Sequence, residues 1–425
     1  MPPNAAAADV EYSRRRYLNI QEDEFMRNVG SRIVFAIGTS LFVAGCSNGS
    51  VSPLAVPPAQ GLSASGRARY VPPAKPAPVA DVDIDKHIDA SLPKHDRKIV
   101  HQLMQDLRPE DRYNVGFFAK DGTNYASTKA VYATMRRWKS TDGLHFIGDG
   151  GKPFIGPLLD TPQSVKALSS GAASKTSAGM QRPLGYEVPT PSDANGPFRR
   201  VYSDAGYSRE TGNIYLPCGA TNFQELTGQT GYIYAGGFGQ NNDGLDAGFQ
   251  YSIANDWYTL FSRDSGTDGP NQMNAQGGHF ACGQTVSYDL YSTPDPTYGL
   301  ITVIVGNGND TNGTPITESV MDPSNPDGFP QNGNGVRLKR MTTIAQGAND
   351  FSNGSTFGIS ALDGTPQVVW TYCNIGVYDP SNNMNSIFVW ANGNGNTQNY
   401  PDDATKIVVT YSDMADETDG INLHP

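Results

Sequence analysis

The sequence predicts a mainly β protein: an antiparallel two-sheet, jelly-roll-like sandwich in the C-terminal half, preceded by a small α+β region. Three observations carry this expectation. From about Phe198 onward, short runs of β-branched and aromatic residues alternate with clusters of Gly, Asn, Asp and Pro, which is strand-and-turn chemistry at fairly regular spacing. The chain holds 47 Gly and 30 Pro with 10% aromatic residues, a composition that favours loop-rich extracellular β proteins over helical bundles. Only Ser91 to Leu107 repeats apolar residues at clear helical spacing.

The first 45 residues read as a leader and a secretory signal. Met26 to Arg32 is short and basic, Ile33 to Val43 is apolar, and small residues lead to Cys46. The apolar run is shorter than the roughly 20 residues that a transmembrane helix needs. Gly45-Cys46-Ser47-Asn48-Gly49 also fits the G-x-S-x-G pattern of a nucleophile elbow, but no strand precedes Ser47 and no helix follows it. Residues 46–80, rich in Pro, Ala, Ser and Gly, read instead as a tether.

Val43-Ala44-Gly45-Cys46 resembles the cleavage and lipidation box of bacterial lipoprotein precursors. The resemblance covers about the first fifth of the chain. It implies thioether lipidation of Cys46, cleavage before it and, with Ser47 following, an outer-membrane destination. Ser13-Arg14-Arg15-Arg16-Tyr17-Leu18 resembles a twin-arginine motif, but the acidic Gln21 to Glu24 that follows argues against it and favours a start at Met26.

Beyond the tether, residues 81–160 read as a small α+β unit. In the helix, Ile99, Val100, Leu103, Met104 and Leu107 form an apolar stripe that Arg108-Pro109 ends. A strand is expected over Tyr113 to Ala119 and a weaker helix around Ser127 to Trp138. Residues 161–195 read as a linker or long loop, 196–414 as the sandwich and 415–425 as a tail. The strand-like runs are Tyr232 to Ala235, Leu245 to Ser252, Trp257 to Phe261, Phe280 to Tyr291, Leu300 to Val305, Val336 to Ile344, Gln367 to Val377, Ser386 to Trp390 and Lys406 to Tyr411.

Composition narrows the partners. The net charge of 31 minus 42, or −11, without a basic stripe argues against nucleic acid. With Cys46 lipidated, Cys218, Cys282 and Cys373 remain, an odd set that allows one disulfide and one free thiol with the pairing open.

The most informative segment is Gly231 to Phe261. A period of two puts Leu245, Ala247, Phe249 and Tyr251 on one face of a strand and Asp246, Gly248, Gln250 and Ser252 on the other. The polar face either meets water or holds a ligand. As a ligand face it suits a carbohydrate: Asp246 and Gln250 bond hydroxyls while Tyr251, Trp257 or Tyr258 stacks on the sugar ring. The order of strand, Asn/Asp/Gly turn, strand with an inward polar residue and aromatic hairpin is similar to the concanavalin-A-like lectin and glucanase sandwiches, and to the glutamic peptidases that share their architecture. That likeness covers the last half of the chain and implies a glycan-binding or glycan-cleaving surface.

Departures from those families weigh against turnover. The Glu-x-Asp-x-x-Glu strand of laminarinase-like enzymes is absent, and Glu225 and Glu318, the glutamates between Thr211 and Asp416, both sit beside turn-like sequence. The catalytic residue identities are therefore left open. His279 and Cys282, three apart on a strand, would point to opposite faces and make no dyad. His95 and His101 would lie roughly 120° apart around a helix. Asp322 to Gly328, with Asp322, Asn325 and Asp327 as oxygen ligands beside the Asn307 to Gly313 loop, is a candidate Ca2+ site, although such loops are also plain turns. The sequence thus predicts a lipid-anchored envelope protein whose sandwich binds carbohydrate or is structural. A sandwich hydrolase or lyase acting on polysaccharide is the alternative.

Overall fold

The computed structural model describes residues 75–140, 144–157 and 196–423, apart from 219–222, 225–227, 239–243, 253–256, 265–271, 324–330, 334–335, 348–349, 353, 360–366, 380–383, 390–395 and 412–414. These residues lie within one compact unit, 69–425. Cys46, the expected tether up to residue 74 and the stretch 158–195 fall outside the described residues.

Two large sheets, mostly antiparallel, make a sandwich. The larger runs β2 (Asn124–Ala126), β1 (Val115–Phe118), β15 (Pro315–Pro323), β14 (Gly299–Asn309), β13 (Gln284–Asp295), β7 (Arg209–Leu216), β18 (Val368–Asp379), β22 (Glu417–Asn422), β17 (Thr356–Phe357) and β8 (Phe223–Gln224). On it β19 (Met384–Val389) pairs with β18, and β21 (Ile407–Tyr411) with β22. The smaller sheet runs β20 (Asn396–Tyr400), β6 (Phe198–Ala205), β16 (Arg337–Ala345), β9 (Thr230–Phe238), β10 (Gly244–Ser252), β11 (Trp257–Asp264), β12 (Gln272–Ala281) and β3 (Met135–Lys139). A separate hairpin joins β4 (His145–Ile147) to β5 (Pro153–Ile155).

The main core lies between the sheets, where alternate residues such as Ile233, Ala235, Leu245, Ala247 and Phe249 of the smaller sheet meet Ile214, Val286, Leu290, Ile304 and Trp370 of the larger. This core is not purely apolar. Arg199 on β6 forks onto Glu417 on β22, with Nη2 2.6 Å from Oε2, and Asp419 accepts from Trp370 Nε1 at 3.0 Å and Thr342 Oγ1 at 2.9 Å. Ser262 on β11 donates to Asp322 on β15 at 2.9 Å. Such bonds fix the two sheets in one register, because a slip would strand buried charges.

Residues 81–160 do not stand apart as the expected α+β unit. Helix α1 (Lys94–Asp106) sets Val100, Leu103 and Met104 onto the outer face of the larger sheet, against Tyr291, Ile301, Val303, Val305 and Met321. β1 then joins that sheet parallel to β15, with Phe117 opposite Met321. Helix α2 (Lys129–Thr134), capped by Thr128, gives way to β3 at the edge of the smaller sheet, where a longer helix is expected from the sequence. The hairpin places Phe146 and Phe154 against Tyr232, Tyr234 and Phe261 on that sheet's outer face. An amphipathic segment without a core of its own gains most by covering the apolar outer faces of sheets already present.

The expected tail is also structural: β22 lies inside the larger sheet, bonded to β18, β21 and β17. Its alternating Glu417, Asp419 and Ile421 are all buried, so its polarity disguised a central strand. Cys218 pairs with Cys282, their Cα atoms 4.8 Å apart, and Cys373 is a buried free thiol.

Candidate functional site

The residues that the sequence singles out on β10 and β11 are divided by the pleat. Tyr251 and Tyr258 point into the inter-sheet core, edge to face at 5.6 Å, and Tyr258 donates to Pro217 O at 2.9 Å. Asp246 and Gln250 point the other way, but that face is neither wet nor open. Asp246 is fully buried with its Oδ1 2.8 Å from Lys339 Nζ, and Gln250 is buried as well. Trp257 is half-buried at the start of β11. The alternation of one core face and one solvated face holds for many antiparallel sheets. Here it fails because the aromatic hairpin β4–β5 shelters the second face, Tyr232 donating to Ile155 O at 2.9 Å and Arg263 to Pro157 O.

Of the proposed calcium ligands, Asp322 alone lies among the described residues. Asp322 sits near the end of β15, where Ser262 bonds it, while Asn325 and Asp327 lie outside the described residues. In the neighbouring loop Asp310 accepts from the backbone N–H groups of Asn312 and Thr314, both at 2.8 Å, which makes it a turn former. Among the described residues no three His, Cys, Asp or Glu side chains gather as a metal-binding set. Glu318, expected beside a turn, lies within β15, and burial pushes its carboxyl up to about 8. It stands on the larger sheet and Asp246 on the outer side of the smaller, so the two carboxyls do not face each other.

A groove of about 230 Å³ opens instead on the outer face of the larger sheet. Strand register builds its floor. Asn213 on β7 lies opposite Ser287 on β13, Ser287 opposite Asn307 on β14, and Asn307 opposite Thr317 on β15. One row of small polar side chains thus crosses four strands at the spacing of about 4.8 Å that separates neighbouring strands. Thr317 Oγ1 donates to Asn307 Oδ1 at 2.9 Å, which fixes the orientation of that amide.

Beside this row lies an ionic cluster that holds its shape. Asp289 is gripped by Arg108 at 2.7 Å and Arg209 at 2.6 Å, and Asp111 by Arg108 at 2.5 Å and Tyr291 Oη at 2.8 Å. Burial raises the Asp289 pKa, but the two guanidinium charges outweigh it and bring it down to about 2. Burial raises Asp111, against the pull of Arg108 and with a further push from Asp289. Both carboxyls are engaged in this network, so it orders the groove and offers no unengaged acid and base facing each other.

Comparison of the chain with protein-family models and with curated proteins finds no match.

The rim of the groove carries Tyr372, 59% exposed although it belongs to a central strand. Thr371 pairs with Asn213 and Asn374 with Thr211, so Tyr372 and Cys373 together oppose Gly212 alone. This is a β-bulge. It turns Cys373 into the core beside Trp370 and swings Tyr372 out with φ of +53°, a left-handed conformation that costs a non-glycine residue about 1–3 kcal/mol. Asp416 secures the turn by accepting from the Tyr372 N–H at 2.7 Å, and Asn374 Nδ2 donates to the Tyr372 carbonyl at 2.7 Å. Gly212 is required beneath it, since a Cβ there would stand 2.8 Å from a Tyr288 ring carbon and 2.9 Å from Cys373 Sγ.

None of Asn213, Ser287, Thr317 or Tyr372 is marked out by a motif. Period two would put Tyr372 on the same face as Trp370, that is, inside. Only the exchange of Cys373 for Tyr372 at the bulge reverses this.

Proposed function

We propose that this chain is an exported envelope protein, anchored in the outer membrane through lipidated Cys46, whose sandwich binds carbohydrate in the groove beneath Tyr372. The observation that carries the reading is an aromatic ring held out to solvent, at the cost of a left-handed backbone, over a row of amide and hydroxyl side chains. A sugar presents the complement of that arrangement: an apolar ring face for the tyrosine and hydroxyls for Asn213, Ser287 and Thr317. The groove is smaller than the ~300–1,000 Å³ of sites for drug-sized ligands, so it suits one ring of a longer glycan. The glycan then reaches the protein from the envelope polymers around its anchor, and residues 46–80 supply the tether.

The test uses the full chain on a panel of immobilised neutral polysaccharides, with and without Ca2+, followed by assay of the supernatant for released sugar. Retention without release is expected, weakened about tenfold by Tyr372→Ala, a loss of about 1.4 kcal/mol. Release of sugar would replace the binding reading with the polysaccharide hydrolase or lyase. Retention indifferent to Tyr372→Ala and Asn213→Ala would remove the groove from the account. The anchor is tested separately, by fatty-acid labelling that Cys46→Ser abolishes.

A further inference from the structure

The exposed side of helix α1 forms one wall of a second and larger groove, of about 750 Å³, whose other wall is Pro296, Thr297 and Tyr298 from the turn between β13 and β14. Lys94, Arg97 and Lys98 line it, with His95 and His101 alongside. Against these three fixed cations the lining holds one carboxylate, Asp85, and that carboxylate is already engaged by His101 Nδ1 at 2.8 Å. Among the described residues no hydrogen bond or ion pair satisfies the Arg97 side chain, and its Nε is shielded from water as well.

This clustering is unfavourable for the helix itself. Lys94 and Lys98 are four residues apart and Lys94 and Arg97 three, so like charges face each other on one side of α1. They also occupy its first turns, the end where the helix dipole disfavours cations, and Asp96 is the lone acidic residue of the first turn. In a chain of net charge −11, three clustered cations faced in the groove by a single carboxylate that is already engaged point to an external anion.

We propose that this groove binds a segment of acidic polysaccharide, carboxylate-bearing sugar units whose charges meet Lys94, Arg97 and Lys98. The Tyr298 ring, held 4.7 Å from the ring of Phe117, supplies a fixed aromatic surface for a pyranose, and Pro296 flanks it. A membrane surface would be met by cations on a projecting face, whereas these line a concavity of about 750 Å³. The site is separate from the groove beneath Tyr372, with which it shares no lining residue.

The test is calorimetric titration of the full chain with oligogalacturonate, with a neutral gluco-oligosaccharide, inorganic phosphate and anionic phospholipid vesicles as separate arms. Oligogalacturonate is expected to bind, more weakly as salt rises, and the triple variant Lys94→Gln, Arg97→Gln, Lys98→Gln is expected to lose at least tenfold in affinity. Its melting temperature should be unchanged or higher, because the repulsion is relieved; if it falls, the single variant Lys98→Gln is read instead and should lose about threefold. Tyr372→Ala should leave oligogalacturonate binding untouched, which separates this site from the neutral-glycan groove. Equal affinity in the variants, no binding by the native chain, or full retention by phosphate or vesicles alone would each overturn the proposal.

Discussion

Lys339 Nζ stands 2.8 Å from Asp246 Oδ1 on the outer face of the smaller sheet, and both side chains are sealed from solvent. The lysine also lies 5.5 Å from the centre of the Tyr234 ring. An ion pair so placed is a structural element, because removing one member leaves the other charged and buried. Asp246→Ala is expected to destabilise the protein by about 3–5 kcal/mol, and the double variant Asp246→Leu, Lys339→Met by much less. Urea denaturation of the three proteins measures this. Equal losses for the single and double variants would show that the two charges are not coupled.

Stability should fall on both sides of an intermediate pH. Asp289 has its pKa lowered to about 2 by Arg108 and Arg209, so its contribution is present above the unfolded value near 3.8 and is lost as pH falls through 2. Glu318 and Asp106 run the other way. Burial raises Glu318 to about 8, and burial together with the neighbouring Asp295 raises Asp106 to about 7. The native state therefore keeps protons that the unfolded chain releases above about 4, and stability declines as pH rises from there to 8. Each such group adds a slope of up to about 1.4 kcal/mol per pH unit. Glu318→Gln should flatten the upper limb, as read from urea midpoints between pH 5 and 8, and leave the acid limb unchanged.

The Cys218–Cys282 bridge closes a loop of 64 residues and ties the end of β7 to the tight turn between β12 and β13, where Gly283 N–H also donates to Leu216 O at 2.7 Å. A loop of that length corresponds to about 4 kcal/mol of chain entropy removed from the unfolded state. Adding reductant should lower the melting temperature by on the order of 10 °C. Cys373, whose thiol burial pushes up to about 12, should stay unlabelled by thiol reagents until the protein unfolds.

Gly212→Ala probes the link between fold and groove. The new methyl would meet Tyr288 and Cys373, so it should cost about 1–3 kcal/mol and press on the bulge that presents Tyr372. Weaker glycan retention is expected together with the lower stability, while Gly122→Ala, at an open position of left-handed backbone, should cost stability alone. Undiminished retention by Gly212→Ala at a temperature well below its melting point would show that the bulge does not position the ring.

Strand texture, the helix of residues 94–106 and the alternation of Leu245 to Tyr251 could be read directly, because each depends on the period at which side chains return to one face. Phe280 to Tyr291 looked like one strand and is two, joined by a turn at Cys282-Gly283 whose glycine takes φ of +73°. β6, β7, β15 and β22 escaped notice because they carry Arg, Glu, Asp and Thr, residues that suit a strand only when buried partners neutralise them.

The sequence by itself determined the mainly β class, the site of the long helix and the segments able to make strands, since these follow from local propensity and periodicity. Tertiary structure alone decided which faces are wet. Hairpin β4–β5 turned the polar side of β10 from a surface into an interior, helix α1 covered part of the larger sheet and left a polar row beside it, and one extra residue in β18 exchanged a buried tyrosine for an exposed one. Burial depends on what packs from far along the chain, and a period of two carries no information about the layer above the sheet.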